Sequence, residues 1–238
     1  MDDLDQFAPI QTPTARRPLL GLTILVVEDS RYACETMRLM CLRSGARIRR
    51  ADCLRSARRH LQVYRPSVVI VDMGLPDGSG AELIAELAQA TPRVGVLLGL
   101  SGDPETEVAA MAAGADGFVP KPIGGLAMFQ QAILSRLPRD RQPGGPRALS
   151  DEPISPDPMA YRDDMNHVAN LLEDGCDGPA LDYVAQFISG VARAAEDAQL
   201  AEAAGRVARR RAEGRVTGDA VQDLVRMVQD RTTRRVAI

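Results

Sequence analysis

The sequence predicts an α/β fold, a doubly wound five-stranded parallel sheet followed by a small all-α region. Three observations carry that prediction. From about residue 21 to residue 137, short β-branched runs alternate five times with amphipathic stretches. A segment rich in Pro, Gly and charge follows, and beyond it strand signals vanish. Apolar residues make up 45% of the chain, enough to bury a core rather than leave it disordered.

The elements follow in order. TILVVED, residues 23–29, reads as a buried strand. Ser30 is placed to cap a helix over 31–44, where Ala33, Met37, Met40 and Cys41 recur at helical spacing and Gly45 ends the run. A short strand at 47–51 and a helix at 53–64 come next. SVVIVDM, 67–73, is the clearest strand of all, GLPDGSG is a turn, and 81–90 is a helix. A fourth strand covers 94–100. Asp103 with Pro104 starts a helix to about 113. DGFVPKP holds a short fifth strand and 124–137 a fifth helix. Strands that alternate with helices imply a parallel sheet covered on both faces, with right-handed crossovers. In such sheets the working site lies at the carboxyl ends of the strands, near the switch in strand order.

Four segments are expected: a flexible tail at 1–20, the α/β domain at 21–137, a linker at 138–158 and a helical region at 159–238. The net charge of −3 does not mark the whole chain as a polyanion binder. No apolar run is long enough to cross a bilayer, and the acidic, proline-containing start lacks the features of a secretory signal. The expected compartment is the cytoplasm. Cys34, Cys41, Cys53 and Cys176 form no CxxC pair and no zinc-like cluster with histidine, so they read as small apolar side chains. Lys121 is the only lysine in a chain whose other cationic side chains are arginines.

Chemistry gathers at the strand ends. Glu28 and Asp29 end the first strand, Asp72 the third and Ser101 the fourth, and Lys121 follows the fifth. Adjacent strands are about 4.8 Å apart, so three carboxylates, a hydroxyl and an ammonium converge on one pocket. A like-charged pair at ~4 Å costs roughly 4 kcal/mol at an effective dielectric near 20. A hard divalent cation with oxygen ligands relieves that repulsion, and Mg²⁺ keeps waters that a phosphate can displace. Asp29 and Asp72 would hold it with the backbone carbonyl of Gly74, and Glu28 would act through water.

VVEDS, VDMGLPDGSG, GLSGD and GFVPKP, in this order and at this spacing over about 115 residues, resemble the receiver domain of bacterial two-component response regulators, a flavodoxin-like fold. The resemblance implies that Asp72 accepts a phosphoryl group from a cognate histidine kinase or histidine phosphotransferase. It further implies that Glu28 and Asp29 hold Mg²⁺, and that Ser101 and Lys121 bind phosphoryl oxygens. Pro122 matches a proline often preceded by a cis peptide, and Ser101 and Phe118 match the switch pair that relays phosphorylation to the surface. The implied protein is a phosphoacceptor that signals, limited to self-phosphorylation and slow autodephosphorylation, rather than an enzyme. An aspartate-nucleophile phosphohydrolase of the haloacid-dehalogenase type is the rival. It requires a second Asp two residues after the nucleophile, where Gly74 stands.

The C-terminal region supports three readings. Tyr161, Met165, Val168 and Leu172 mark one helix, and Leu181, Val184, Ile188, Val191, Ala195 and Ala198 a second running to about 212, with a bend at Gly190 or Gly205. Thr217 would cap a last helix with Val221, Leu224, Val225 and Val228. Some 80 helical residues make a marginal core, so the favoured reading is a dimerisation or protein-binding output, with a homodimer through these helices. DNA binding is the second reading, suggested by Arg206, Arg209, Arg210, Arg211, Arg215, Arg231, Arg234 and Arg235. Residues 159–238 nevertheless hold 11 Arg against 13 acidic residues and show no helix-turn-helix pattern. The third is a phosphorelay step on His167.

Overall fold

The computed structural model describes residues 12–148, 153–173 and 175–233. Its first part is the expected α/β fold. β1 (Thr23–Val27), β2 (Arg47–Ala51), β3 (Val68–Asp72), β6 (Val96–Ser101) and β7 (Gly117–Pro120) form one parallel sheet in the order β2-β1-β3-β6-β7. The order runs outward from β1 in both directions, so the switch point falls between β1 and β3. β3 is buried along its whole length, as a central strand covered on both faces must be.

α1 (Arg31–Ser44) and α5 (Leu126–Leu134) cover one face. There Met37, Met40, Phe129 and Ile133 pack on Ile24, Val26, Ile70 and Leu98. α2 (Leu54–Val63), α3 (Gly80–Gln89) and α4 (Thr106–Ala112) cover the other, with Leu54, Leu83, Ile84 and Ala110 in its core. The α1 caps fall where the sequence places them: Ser30 accepts from the Ala33 amide, and Gly45 closes the helix at a left-handed φ of 84°. The GLPDGSG turn becomes a small hairpin, β4 (Gly74–Leu75) with β5 (Gly78–Ser79). At its tip the Asp77 carboxylate accepts from the Leu54 and Arg55 amides and so caps α2. Gly80 is a requirement of packing, because a Cβ there would lie 2.0 Å from the Asp72 carbonyl oxygen.

Two expected boundaries shift. Leu19 is fully buried and its amide donates to the Ser44 carbonyl, so the segment before β1 belongs to the folded domain rather than to a tail reaching residue 20. Residues 1–11 lie outside the described residues. The segment expected as a linker is also partly docked. The Ala148 amide donates to the Ala15 carbonyl, and Ile154 packs against the α1/α5 core.

The C-terminal part is α6 (Pro158–Glu173), α7 (Gly178–Ala194), α8 (Ala198–Ala212) and α9 (Gly218–Thr233). The long helix expected from 181 to 212 is two helices, broken at Ala195–Asp197 rather than bent at Gly190 or Gly205. Glu196 takes a left-handed φ of 59°, and the Asp197 side chain caps α8 through the Leu200 amide. The break lets α8 fold back on α7, so that Leu200, Ala203 and Val207 meet Leu181, Val184 and Ile188. Ala195 and Ala198, expected on the apolar stripe, sit at the break and are not buried. With Met165, Val168, Leu224 and Val228 this core closes within one chain, so the packing argument for a dimer no longer holds. The bundle rests on the α/β domain, with α6 and α7 packed against α1.

Candidate functional site

The switch point between β1 and β3 gathers the expected residues. Glu28 follows β1 directly and is buried, and its Oε1 accepts from the Ser30 amide at 3.2 Å. Asp72 is the last residue of β3 and only 6% exposed. The parallel register sets Leu100 beside Asp72 and Pro120 beside Ser101, which carries the ends of β6 and β7 to the same edge. Lys121 follows β7 and reaches back across the site, its Nζ 2.7 Å from Asp72 Oδ2 and 2.5 Å from Glu28 Oε2. The Lys121–Pro122 peptide is cis.

Carboxylate oxygens of Glu28, Asp29 and Asp72 lie within 4.8 Å of one another. Burial, and then the neighbouring acids, raise the carboxyl pKa of both Glu28 and Asp29. For Glu28 the Lys121 ammonium opposes this, and for Asp29 a hydrogen bond from Tyr183 does. Burial works against the charge on Lys121, but Asp72 and Glu28 outweigh it and hold the ammonium protonated above its ordinary range. The Lys121 ammonium, at 2.5 Å, is the partner of the buried Glu28 Oε2. Three convergent carboxylates that share one ammonium suit a hard divalent cation as a second counter-charge.

Ser101 is buried beside this cluster, with its Oγ accepting from the Asp103 amide at 3.1 Å. The Gly74 amide donates to Asp72 Oδ1 at 3.2 Å. Phe118 is half-buried against the core under α3 and α4. His167 is not brought to the cluster. It lies exposed on α6, with its ring 5.9 Å from that of Phe187.

The family model of the response regulator receiver domain matches residues 24–133. Residues 24–133 are a response regulator receiver domain. The KDP operon transcriptional regulatory protein KdpE of Escherichia coli is 32% identical over 101 residues, which cover 42% of this chain and 45% of KdpE. Response regulator MprA of Mycolicibacterium vanbaalenii is 30% identical over 143 residues, 59% of this chain and 62% of that protein. The chain thus spans about half the length of the curated relatives it matches. Among solved structures, the signal receiver domain of a signal transduction histidine kinase from Syntrophus aciditrophicus is 27% identical. It covers 55% of this chain and 99% of that one, with a TM-score of 0.45.

Sequence reasoning missed the residues that the bundle brings to this receiver. The Tyr183 hydroxyl, on α7, donates to Asp29 Oδ2 at 2.5 Å. Asp164, on α6, is buried and caps α1 from outside: it accepts from Ser30 Oγ at 2.7 Å, from the Arg31 amide at 2.8 Å and from the Tyr32 amide at 3.0 Å. Arg193 donates to the Gly102 carbonyl at 3.2 Å. Tyr183 and Asp164 belong to no motif. Their only sequence signal is a polar group one residue from an apolar helical stripe, which any surface helix shows. Most of the basic run on and just after α8 is ion-paired within the chain, Arg206 with Glu202, Arg210 with Asp219, Arg211 with Asp182 and Arg215 with Glu213, while Arg209 is exposed. Arg234 and Arg235 lie outside the described residues. No helix among the described residues is long and apolar enough to cross a membrane.

Proposed function

We propose that this chain is a phosphorylation-dependent response regulator of a two-component system, with Asp72 as its phosphoacceptor. The observation that carries this reading is the 2.7 Å contact between Lys121 Nζ and Asp72 Oδ2 inside a triad of carboxylates, two of them buried and Asp29 partly so. A carboxylate oxygen of Asp72 attacks the phosphorus of a donor phosphohistidine, from a histidine kinase or histidine phosphotransferase. The P–N bond breaks, its electron pair stays on the imidazole, and an acyl phosphate forms on Asp72. Such a transfer needs positioning and charge neutralisation more than covalent help. Lys121 supplies one fixed cation. Glu28, Asp29, Asp72 and the Gly74 carbonyl are the groups that would hold Mg²⁺, which when bound neutralises charge on the transferring group.

Ser101 and Lys121 then bind phosphoryl oxygens, and Phe118 relays the change to the surface. A complete switch from 1:99 to 99:1 requires roughly 5.5 kcal/mol of differential stabilisation. The chain turns over no substrate in this reading. Four free cysteines suit a reducing cytoplasm. The helical region is the output module, and a homodimer is one form that output can take. KdpE is named a transcriptional regulatory protein, which favours DNA binding as the alternative output, but the ion pairs of Arg210 and Arg211 on α8 argue against a DNA-binding face there. His167 lies on α6 apart from the cluster, and this reading assigns it no relay step.

The test is phosphorylation by acetyl phosphate and Mg²⁺, read as intact mass. Wild type should gain one phosphoryl group and Asp72→Asn none. Equal labelling of both would move the acceptor elsewhere.

A further inference from the structure

The receiver site is covered by its own C-terminal bundle. α7 crosses the mouth of the pocket between Gly74 and Gly102, the two backbone points that flank Asp72 and Ser101. Tyr183 ties up Asp29 Oδ2, an oxygen that a cation at this site needs. One turn along the same helix face, Gln186 comes so close that a Cβ on Gly74 would lie 3.0 Å from its Nε2. Arg193 holds the Gly102 carbonyl on the far side. Asp164 anchors α6 on the first turn of α1, where a carboxylate meets free amides and the positive end of the helix dipole. Arg31 pairs with Asp163 beside it, and Tyr32 meets Tyr161 edge-on. Asp72 is left almost without access to solvent.

A phosphohistidine has to bring its phosphorus to an Asp72 oxygen from outside the pocket. A protein donor therefore lays the element that carries its imidazole where α7 now lies. Gln186 lies against Gly74 at that mouth, with an uncharged amide that cannot carry a phosphoryl group. We propose that the α6–α9 bundle is an intramolecular cap that takes the place of the phosphodonor, so that loading of Asp72 and docking of the bundle are mutually exclusive. The cap rests on the reading of Asp72 as phosphoacceptor. Phosphorylation releases the face bearing Asp164, Tyr183 and Gln186, which already fits the acidic mouth of a receiver. Release of that face is the output.

The experiment is amide hydrogen exchange on the full chain with Mg²⁺, with and without beryllofluoride as an aspartyl-phosphate mimic, and with loading followed by fluorine NMR. On loading, exchange over residues 181–190 and the first turn of α1 should accelerate about tenfold or more, as expected when a local opening becomes the major state. Loading with unchanged protection of both segments overturns the cap and leaves the phosphoacceptor reading intact. Tyr183→Phe provides an independent arm. With one hydrogen bond on Asp29 removed, Mg²⁺ should bind up to about tenfold more tightly by calorimetry, and unchanged affinity counts against the cap. If beryllofluoride loads neither wild type nor a chain whose docking contacts are cut together (Tyr183→Phe with Asp164→Ala and Arg193→Ala), it is the reading of Asp72 that fails, and the cap built on it falls too.

Discussion

The receiver and the bundle solve different problems, and their residues show it. In the receiver, five side chains at the ends of four strands must meet within a few ångströms, and each must be a particular chemical type. The bundle has to present one complementary face and close a core, which many sequences can do. Chemistry therefore fixes residue identity in the first region, while the core of the second is constrained mainly by shape. Losing a charge should be the worst damage to the receiver. In the bundle it should be losing volume.

The largest expected effect is Lys121→Met. It removes the only ammonium from a site where Glu28 is fully buried and Asp72 nearly so, leaving those carboxylates without a counter-charge. Breaking a buried ion pair in this way costs about 3–5 kcal/mol. Urea unfolding of the receiver in Mg²⁺-free buffer measures it, and added Mg²⁺ should restore part of the loss. A loss that Mg²⁺ does not touch would separate Lys121 from the cation site.

Next is Ile188→Ala, in the centre of the bundle core and away from the receiver. A cavity there should cost roughly 2–5 kcal/mol. Hydrogen exchange should show α7 and α8 loosened while the sheet keeps its protection. If the receiver melts together with the bundle, the two regions are one cooperative unit and the contrast drawn above is wrong.

These two variants also mark how far the sequence could be read. The receiver was legible down to single residues, because period-two and period-3.6 patterns place its elements and the strand ends then place Glu28, Asp29, Asp72, Ser101 and Lys121. The bundle was legible as helices, but not in its connectivity. The break at Glu196–Asp197 is set by one cap and by the packing of α8 on α7, and a long Ala-rich stretch hides both. Docking was not legible at all. Asp164 and Tyr183 sit more than 130 positions from the groups they bind, and nothing local distinguishes a carboxylate that will cap a distant helix from a solvated one.

Asp164→Ala tests the junction between the regions and should have a smaller effect. It leaves the Arg31 and Tyr32 amides without their carboxylate, at a cost of about 1–3 kcal/mol to docking. Both cores should stay intact, while protection falls at the first turn of α1 and over α6. Unchanged protection there would mean that the junction is held by its apolar contacts.

The smallest effect separates the two regions by sign. Glu28 and Asp29 have pKa values raised by burial and by neighbouring acids, so their charged forms weaken the folded receiver at neutral pH. As pH falls through those raised values the groups protonate, and in Mg²⁺-free buffer the receiver gains stability. Asp197 behaves the opposite way. Burial alone would raise its pKa, but Arg231 Nε at 2.9 Å, the Leu200 amide at 3.1 Å and the Tyr161 hydroxyl at 2.9 Å hold it below its ordinary 3.8. Its contribution is complete above the unfolded value and is lost as pH falls through the depressed folded one. Mild acidification should therefore firm the receiver while leaving the bundle unchanged, and only below about pH 4 should the bundle loosen. Exchange protection of β3 and α8, followed down the same pH series, measures both. Asp197→Asn should flatten the bundle's acid response and leave that of the receiver as it was.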